Sequence, residues 1–348
     1  MRGLAALVLA AALTASGPPA VAAQRWAIVA HGGAGEITRG VLSPAQDAAY
    51  RQSMARALQA GSAILDAGGA ALDAVEAAVE ILEDDPLFNA GRGAVFTADG
   101  RIELDAAIMD GSTLGAGAVA GVTRTRHPIA LARKVMERSP HVMLIGQGAD
   151  AFSRAQGLEQ VPPAWFFTEA RWEALVTRLK TDHLPIPPRP KGAPTGPDPK
   201  AALAHNEGKH GTVGVVALDR KGNLAAGTST GGVNAKKWGR VGDSPIIGAG
   251  TYAANGSCAV SGTGTGEYFI RLTVARDVCA LVEYKGMSLQ AAVDQVIGRD
   301  LSALGGDGGV VAIAPNGDVA WAFNTPGMHR ARQVEGEPLS VAIYKDEP

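Results

Sequence analysis

Short apolar runs separated by glycine, proline and polar turn residues recur along the whole chain. Runs of this length with β-branched residues predict buried strands, and strict turn signals between two of them predict hairpins. Hairpins are expected at 94–104, with a turn at Asp99-Gly100, at 213–228 and at 310–323. The predicted strands span residues 26–30, 94–97, 102–104, 118–122, 142–145, 213–218, 224–228, 310–314 and 319–323.

Apolar residues at every third or fourth position predict helices between these strands. Ser43 followed by Pro44 is typical of a helix start, and Gly68-Gly69 of its end. The predicted helices span residues 44–67, 70–83, 128–138, 172–179, 267–281 and 288–304. Strands at both ends of the second half, with helices between them, indicate an α+β body rather than alternating βαβ units.

The segment from Lys180 to Gly211 differs from the rest, because it holds seven prolines with glycine and charged residues between them. This composition favours extended conformations and buries little apolar surface, so we expect a mobile tail that does not pack. The tail runs directly into the strand at 213–218, which makes Gly211-Thr212 a candidate cleavage site. Two independent domains joined by this linker are the alternative.

Composition indicates a globular chain, with 46% hydrophobic and 19% charged residues and a formal net charge of −2. Basic residues are not clustered, so nothing indicates a nucleic-acid surface. Residues 1–23 combine Arg2, an apolar run and Val21-Ala22-Ala23, which predicts an export signal with Gln24 as the mature start. The run is too short to span a membrane. We therefore expect a soluble periplasmic or secreted protein.

Cys258 and Cys279 are the only cysteines. Export would permit a disulfide. Cys258 lies in an apolar strand-like run and Cys279 in a helical pattern, so we expect buried free thiols instead.

Thr212 would gain a specific chemistry if the chain were cut before it. An N-terminal threonine carries its own base, because the free α-amine accepts the proton of the hydroxyl. The pKa of an α-amine is about 8, which is close to neutral pH. In the uncut chain this nitrogen is an amide and not a base, so cleavage would be part of the mechanism. Considered alone, Thr212 is better interpreted as an ordinary strand residue after a loop.

A series of motifs over nearly the whole chain favours Thr212 as a nucleophile over an ordinary strand residue. Together they resemble the plant-type asparaginase and isoaspartyl-peptidase family of N-terminal-nucleophile (Ntn) hydrolases. The motifs are His31-Gly32-Gly33-Ala34-Gly35, Leu87-Phe88-Asn89-Ala90-Gly91, Leu104-Asp105-Ala106, Met109-Asp110-Gly111, Gly211-Thr212-Val213-Gly214, Thr228-Ser229-Thr230-Gly231-Gly232, Gly239-Arg240-Val241-Gly242-Asp243-Ser244-Pro245 and Gly262-Thr263-Gly264-Thr265-Gly266-Glu267.

The resemblance implies a catalytic role for five residues. Thr212 would be the nucleophile freed by autocleavage after Gly211, and Thr230 would polarise its hydroxyl. Thr263 and the backbone of Gly264 would hold the oxyanion, where preorganised donors stabilise developing charge. Asn89 would support the nucleophile.

The resemblance also implies a substrate clamp and a metal site. Arg240 and Asp243, with Gly264 and Gly266, would hold the α-carboxylate and α-ammonium of the substrate, and a guanidinium suits a carboxylate in any case. No catalytic cofactor is implied. A structural sodium ion would be bound by the backbone carbonyls of Leu82, Glu83, Asp85, Phe88, Ala90 and Arg92.

The family further implies one four-layer αββα sandwich built from two chains. These would be an α subunit of residues 24–211 and a β subunit of residues 212–348, associating as a dimer of such protomers. The expected activity is release of aspartate from β-aspartyl dipeptides and L-asparagine through a β-aspartyl-enzyme intermediate. The alternative is a glycosylasparaginase, which shares the threonine and the run from Arg240 to Pro245.

Three other classes of protein fit the sequence less well. Residues 227–231 match the G-x-S-x-G pattern of a serine esterase, with Ser229, Asp243 and His329 in the expected order, but no helix pattern follows. His205 and His210 lie in the tail without an acidic partner helix, which disfavours a metal hydrolase. A non-enzymatic binding module would leave the mature chain uncut.

Overall fold

Two β-sheets form the body of the protein in the computed structural model, which describes residues 24–196, 198–205 and 211–347. The predicted export signal, residues 1–23, lies outside the described residues. The strands are β1 Ala27–Gly35, β2 Leu104–Asp110, β3 Ala116–Val122, β4 Met143–Ile145, β5 Val213–Leu218, β6 Leu224–Thr230, β7 Thr251–Ala254, β8 Cys258–Gly264, β9 Gly308–Ile313, β10 Val319–Phe323, β11 Gly327–Val334 and β12 Ser340–Tyr344.

Helices connect and flank the sheets. They are α1 Pro44–Asp66, α2 Ala71–Glu83, α3 Pro128–Arg138, α4 Gly146–Ala155, α5 Glu169–Thr181, α6 Gly266–Leu272, α7 Val274–Lys285 and α8 Leu289–Val293, which continues as a π-helix over Asp294–Leu301, with short 3₁₀ turns at Pro163–Phe166 and Ala201–Leu203. None of the helices in the described part of the chain is both long and apolar enough to cross a bilayer.

The larger sheet has the strand order β12-β11-β1-β5-β6-β2-β3-β4, and the smaller sheet has the order β10-β9-β8-β7. Strands from both sides of Gly211-Thr212 are interleaved in the larger sheet, because β1 lies between β11 and β5. β1 pairs antiparallel with both β11 and β5, and β2 pairs with β6. Two independent domains joined by the proline-rich linker are incompatible with this shared sheet.

Alternation of side chains along each strand divides the apolar residues among separate cores. In β5, Val215 packs with residues of α1 and α2, whereas Val216 packs with β8 and β9 of the smaller sheet. In β8, Val260 faces the other way and packs with Val278 of α7. The described chain therefore has helices outside each sheet and apolar side chains between the sheets.

Many of the predicted elements are present, and the α+β fold class is confirmed at this level. Ser43 caps α1 with a full capping box, because its side chain accepts from Gln46 N while the Gln46 side chain accepts from Ser43 N. The hairpins β5–β6 and β9–β10 lie within a few residues of their predicted positions.

Other predictions were wrong. The predicted hairpin at 94–104 is only a turn, since Leu104 begins β2, which pairs with β3 and β6 instead. The helix predicted at 267–281 is broken at Thr273, which adopts a left-handed conformation with φ 49° between α6 and α7. Strands β11 and β12 were not predicted, because charged residues within β11 obscure its apolar alternation.

Cys258 and Cys279 are joined in a disulfide, so the prediction of free thiols was wrong. Cys258 opens β8, and Cys279 lies on the buried face of α7 that packs on this sheet. Packing brings the two Cα atoms to 5.2 Å, within bridging distance. The distance between residues in two separate elements cannot be predicted from their positions in the sequence.

The proline-rich segment requires a second correction. Arg189 pairs with Glu169 and stacks over the ring of Phe167, and Lys200 pairs with buried Asp85. Ala201 is almost completely buried. The described part of the segment therefore packs on the body through its side chains, although its only regular structure is one 3₁₀ turn. Its mobility after cleavage stays a prediction.

Candidate active site

Thr212 and Thr230 face each other at the end of two neighbouring strands. Val213 of β5 pairs with Ser229 of β6, which brings Thr212 opposite Thr230. Their Oγ1 atoms are 2.9 Å apart, and both side chains are buried. Thr230 Oγ1 also accepts from the backbone N–H of Gly232 at 3.0 Å. Register thus holds one hydroxyl against the other.

Asn89 fastens the chain on both sides of these threonines. Its backbone N–H donates to the carbonyl of Gly211, the peptide unit before Thr212, at 3.0 Å. Its side-chain Nδ2 donates to Gly232 O at 2.7 Å, and its Oδ1 accepts from Val95 N at 2.9 Å. The carbonyl at the predicted cut therefore already has a donor on its oxygen.

His31 holds the main chain of Thr212, a role the sequence did not reveal. Its Nδ1 lies 3.1 Å from Thr212 O, and its Nε2 lies 3.0 Å from Ser261 Oγ. Burial lowers the pKa of His31 to about 3, so the ring is neutral. Nδ1 then donates to the carbonyl and Nε2 accepts from Ser261. The available sequence signal was the position of His31 directly after the predicted strand 26–30, in a glycine-rich motif.

Thr263 brings a hydroxyl from the smaller sheet. It lies two residues after Ser261 in β8, so both side chains point to the same face. Thr263 Oγ1 is buried and has no hydrogen-bond partner among the described residues. Such an orphaned buried donor is costly unless a ligand satisfies it. It is thus available to a group that enters the site, and Gly264 follows it directly.

Arg240 is held in a fixed orientation. Its Nε and Nη2 atoms each donate to one carboxylate oxygen of Glu267, at 3.0 Å. A Cβ atom on Gly266 would lie 2.9 Å from Nη2, so only glycine permits this approach. A Cβ on Gly232 would lie 3.4 Å from Nη1, which places the guanidinium beside the chain that binds Thr230. Nη1 thus lies beside Gly232, the residue whose backbone N–H donates to Thr230 Oγ1.

Asp243 is buried nearby, and its Oδ2 has no hydrogen-bond partner in the described chain. Burial raises the pKa of Asp243 to about 7, while the charge of Arg240 acts in the opposite direction. A Cβ on Gly266 would also lie 2.9 Å from Asp243 N. The guanidinium of Arg240 and the backbone of Asp243 thus lie around the same glycine, while a Cβ on Gly250 would lie 2.7 Å from Asp243 Oδ2. A guanidinium and a carboxyl suit the charged groups of an amino acid.

Two further charged residues were missed. Asp105 pairs with Thr230 across β2 and β6 and is buried, with one carboxyl oxygen accepting from Gly121 N and the other unpartnered in the described part. Burial raises the pKa of Asp105, and the charge of Lys236 opposes this. Lys236 is buried as well and donates to Glu103 O at 2.8 Å. Asp105 lay within a quoted motif, but nothing gave it a role.

The loop after α2 contains the backbone carbonyls of the predicted sodium site. Two glycines of the loop pass close to carbonyl oxygens, because a Cβ on Gly91 would lie 2.3 Å from Glu83 O and one on Gly93 would lie 2.7 Å from Phe88 O. Glu83 O also accepts from Arg92 N at 2.7 Å. Neutral oxygens of this kind suit a hard cation, so the ligand type fits. No group of three or more His, Cys, Asp or Glu side chains in the described ranges could hold a metal, which does not bear on a carbonyl site.

The residues of the serine-esterase alternative do not come together. Ser229 points to the opposite side of β6 from Thr230 and donates to buried Glu83 at 2.6 Å. The ring of His329 stacks on Tyr50 of α1 at 4.1 Å between centroids. Asp243 lies beside Arg240 instead.

Comparison with known proteins identifies the family of this chain. The model of a family described as asparaginase matches residues 24–343. The chain therefore belongs to the asparaginase family, and this defines its class as an amidohydrolase.

The similar proteins share a narrower set of names. The chain is 50% identical to the isoaspartyl peptidase of Escherichia coli, over 92% of this chain and 96% of that protein. It is 49% identical to the isoaspartyl peptidase of Salmonella typhimurium, over 92% and 98% of the two chains. A probable isoaspartyl peptidase/L-asparaginase 2 of Arabidopsis thaliana is 43% identical, over 92% and 99%.

Proposed function

We propose that this protein is an autocleaving threonine hydrolase that releases aspartate from β-aspartyl dipeptides and from L-asparagine. The observation that carries the proposal is the contact between Thr212 and Thr230 at 2.9 Å, where Gly232, which donates to Thr230, also lies beside the Arg240 guanidinium. The names of the similar proteins favour this substrate class over glycan-linked asparagine.

Autocleavage would begin at the peptide carbonyl of Gly211. Thr212 Oγ1 attacks this carbon, and the Asn89 N–H donates to the developing oxyanion. The nitrogen of Thr212 leaves as an amine, so the chain is joined by an ester at this point. Water hydrolyses the ester, which leaves a carboxylate on Gly211 and a free amine and hydroxyl on Thr212.

Substrate turnover would then use that amine as the base. It takes the proton of Thr212 Oγ1, which attacks the side-chain carbonyl of the substrate, while Thr263 and Gly264 stabilise the oxyanion. The proton passes to the leaving nitrogen, which departs as an amine or ammonia. Water then hydrolyses the β-aspartyl ester and releases aspartate. Arg240 and Asp243 hold the α-carboxylate and α-ammonium throughout.

The test is an intact-mass spectrum of the protein together with an aspartate-release assay. We expect two chains, one of which begins at Thr212, and no cleavage or turnover in Thr212→Ala. Ser229→Ala, at the neighbouring position, should still cleave itself. A single uncut chain after prolonged incubation would refute the proposal, and a dominant rate on glycosylated asparagine would replace the substrate assignment.

We propose that the two sheets and their flanking helices form the four-layer αββα sandwich of Ntn hydrolases, with two such protomers in a dimer. The separate cores on the two sides of each sheet support the four-layer sandwich. Native mass spectrometry of the cleaved protein tests the dimer, and the mass of a single protomer would contradict it.

We also propose a structural sodium ion in the loop of residues 82–92, where it would neutralise backbone carbonyl dipoles. Melting temperature should rise with sodium at constant ionic strength, and an equal rise with a large organic cation would contradict this.

Export to the periplasm or medium is proposed from the pattern of residues 1–23, and the Cys258–Cys279 disulfide supports an oxidising compartment. N-terminal sequencing of the exported fraction should begin at Gln24.

A further inference from the structure

A short loop between the diglycine Gly231-Gly232 and Arg240 has an unusual backbone. This segment, residues 233–239, is called the Trp238 loop below. Ala235 has φ 62° and Trp238 has φ 57°, a left-handed conformation that side chains disfavour. Residues in this conformation are kept where function or packing requires them. The left-handed backbone at these two residues therefore indicates that the loop does more than connect two segments.

The loop is fixed to the body rather than free. Ala235 N donates to Phe96 O at 2.8 Å, and Lys236 O accepts from Ala98 N at 2.9 Å. Asn234 Nδ2 donates to Ala174 O at 3.1 Å. These bonds hold Trp238 outwards, where its side chain is 98% exposed. A rigid support thus presents a large aromatic ring to solvent.

A cavity of about 410 Å³ lies between the Trp238 loop and the turn at residues 97–103. The cavity is lined by three cations, Arg101, Lys236 and Lys237, and by two anions, Asp99 and Glu103, which both pair with Arg101, so the lining carries one net positive charge. Lys237 forms no ion pair within the described residues, and its ammonium lies 5.8 Å from the Trp238 ring centroid. The cavity therefore offers an apolar ring and an unneutralised cation.

The cavity adjoins the site of chemistry. Gly239 lines it and directly precedes Arg240. Lys236 also lines it, and a Cβ on Gly232 would lie 3.3 Å from Lys236 Nζ. Gly232 in turn donates to Thr230. The lining residues Lys236 and Gly239 thus connect the cavity to Gly232 and Arg240.

We propose that this cavity is the subsite for the residue that leaves when a β-aspartyl dipeptide is cleaved. Trp238 packs on the apolar side chain of that residue, and Lys237 pairs with its carboxylate. Charge complementarity identifies the occupant, because the leaving residue of a dipeptide carries an anion and asparagine releases only ammonia. The proposal rests on the proposed function and adds the part of the substrate that Arg240 and Asp243 do not hold.

The test compares kcat/KM for β-aspartyl-leucine, β-aspartyl-glycine and L-asparagine. In Trp238→Ala the value for β-aspartyl-leucine should fall about tenfold, as for loss of an apolar contact, with a smaller fall for β-aspartyl-glycine. Lys237→Gln should lower both dipeptide values. L-Asparagine should change less than about twofold in either variant, since its transition state lacks these contacts.

Leu114→Ala is the matched control, because Leu114 is exposed and also has a positive φ, but lies in the turn between β2 and β3. It should leave all three values unchanged, and Trp238→Phe should retain most of the dipeptide activity. An equal fall for all substrates, no change in any, or a changed oligomeric state without a changed substrate ratio would each overturn the subsite. Wild-type protein that releases no aspartate from dipeptides would instead refute the proposed function.

Discussion

Asp243 is a buried carboxyl whose ionisation should control substrate capture. Burial raises its pKa to about 7, with smaller effects of Arg240 in one direction and of Glu267 and Asp105 in the other. Below this pH the free enzyme carries a neutral acid, which cannot pair with a substrate ammonium. Because the folded pKa lies above the ordinary value, this group also lowers folding stability as pH rises from about 4 to 7.

We predict that kcat/KM for L-asparagine rises with pH through about 7 as Asp243 ionises. The limb belongs to the free enzyme, so it should be absent from kcat, because bound substrate keeps the carboxylate charged. The Thr212 amine must also lose its proton, and its limb should remain in both quantities. Rates measured over the pH range at limiting and saturating substrate separate the two groups.

Asp243→Asn supplies the control for this assignment. It should raise KM about 10- to 100-fold, as for loss of a buried charged partner, and it should remove the limb that appears only in kcat/KM. An unchanged pH profile in this variant would show that another group is responsible.

For single residues, motifs in the sequence identified the candidates, but the sequence did not show which side chains surround them. Arg240 and Asp243 could be named because they stand in one continuous run. Lys236 and Glu103, by contrast, are 133 residues apart and meet only after β2 lies beside the Trp238 loop. The orientation of His31 towards Thr212 O likewise depends on the pairing of β1 with β5.

Among the elements, the link between β8 and α7 carries the most specific stabilisation. The Cys258–Cys279 disulfide closes a separation of 21 residues and ties the strand of Thr263 to the helix outside the smaller sheet. Closing a loop of this size lowers the entropy of the unfolded chain and stabilises the fold by about 3 kcal/mol.

We predict that the double variant Cys258→Ala/Cys279→Ala loses about 3 kcal/mol of unfolding free energy. Denaturant unfolding followed by circular dichroism measures it. Reduced wild-type protein should behave in the same way, which separates the bond from the side chains. Equal stability of oxidised and reduced wild type would contradict the prediction.

Elements with strong local signals were predictable, and those fixed by tertiary contacts were not. Ser43 and Pro44 define the start of α1, and turn residues define β5–β6 and β9–β10. The break at Thr273 has no glycine or proline to mark it. β11 was missed because Arg330 is buried within it, with its guanidinium over the rings of Trp321 and Phe323.

In the whole molecule, the two halves on either side of Gly211-Thr212 are interleaved. β1 of the first half lies between β11 and β5 of the second, and β2 pairs with β6. Breaking one peptide bond leaves these ladders and the cores between them intact. The two halves bury a large hydrophobic surface against each other, and a cut at the end of one strand leaves this surface buried.

We therefore predict that the cleaved protein behaves as one particle until it unfolds. Native size-exclusion chromatography should give a single peak that contains both chains, whereas denaturing electrophoresis should separate them. The uncut Thr212→Ala protein is the control and should elute at the same volume with one band. If the two chains separated under native conditions, the interleaved sheet would not be what holds the cleaved enzyme together. If they stay together, Thr212 gains its free amine without any loss of the register that places its hydroxyl 2.9 Å from that of Thr230.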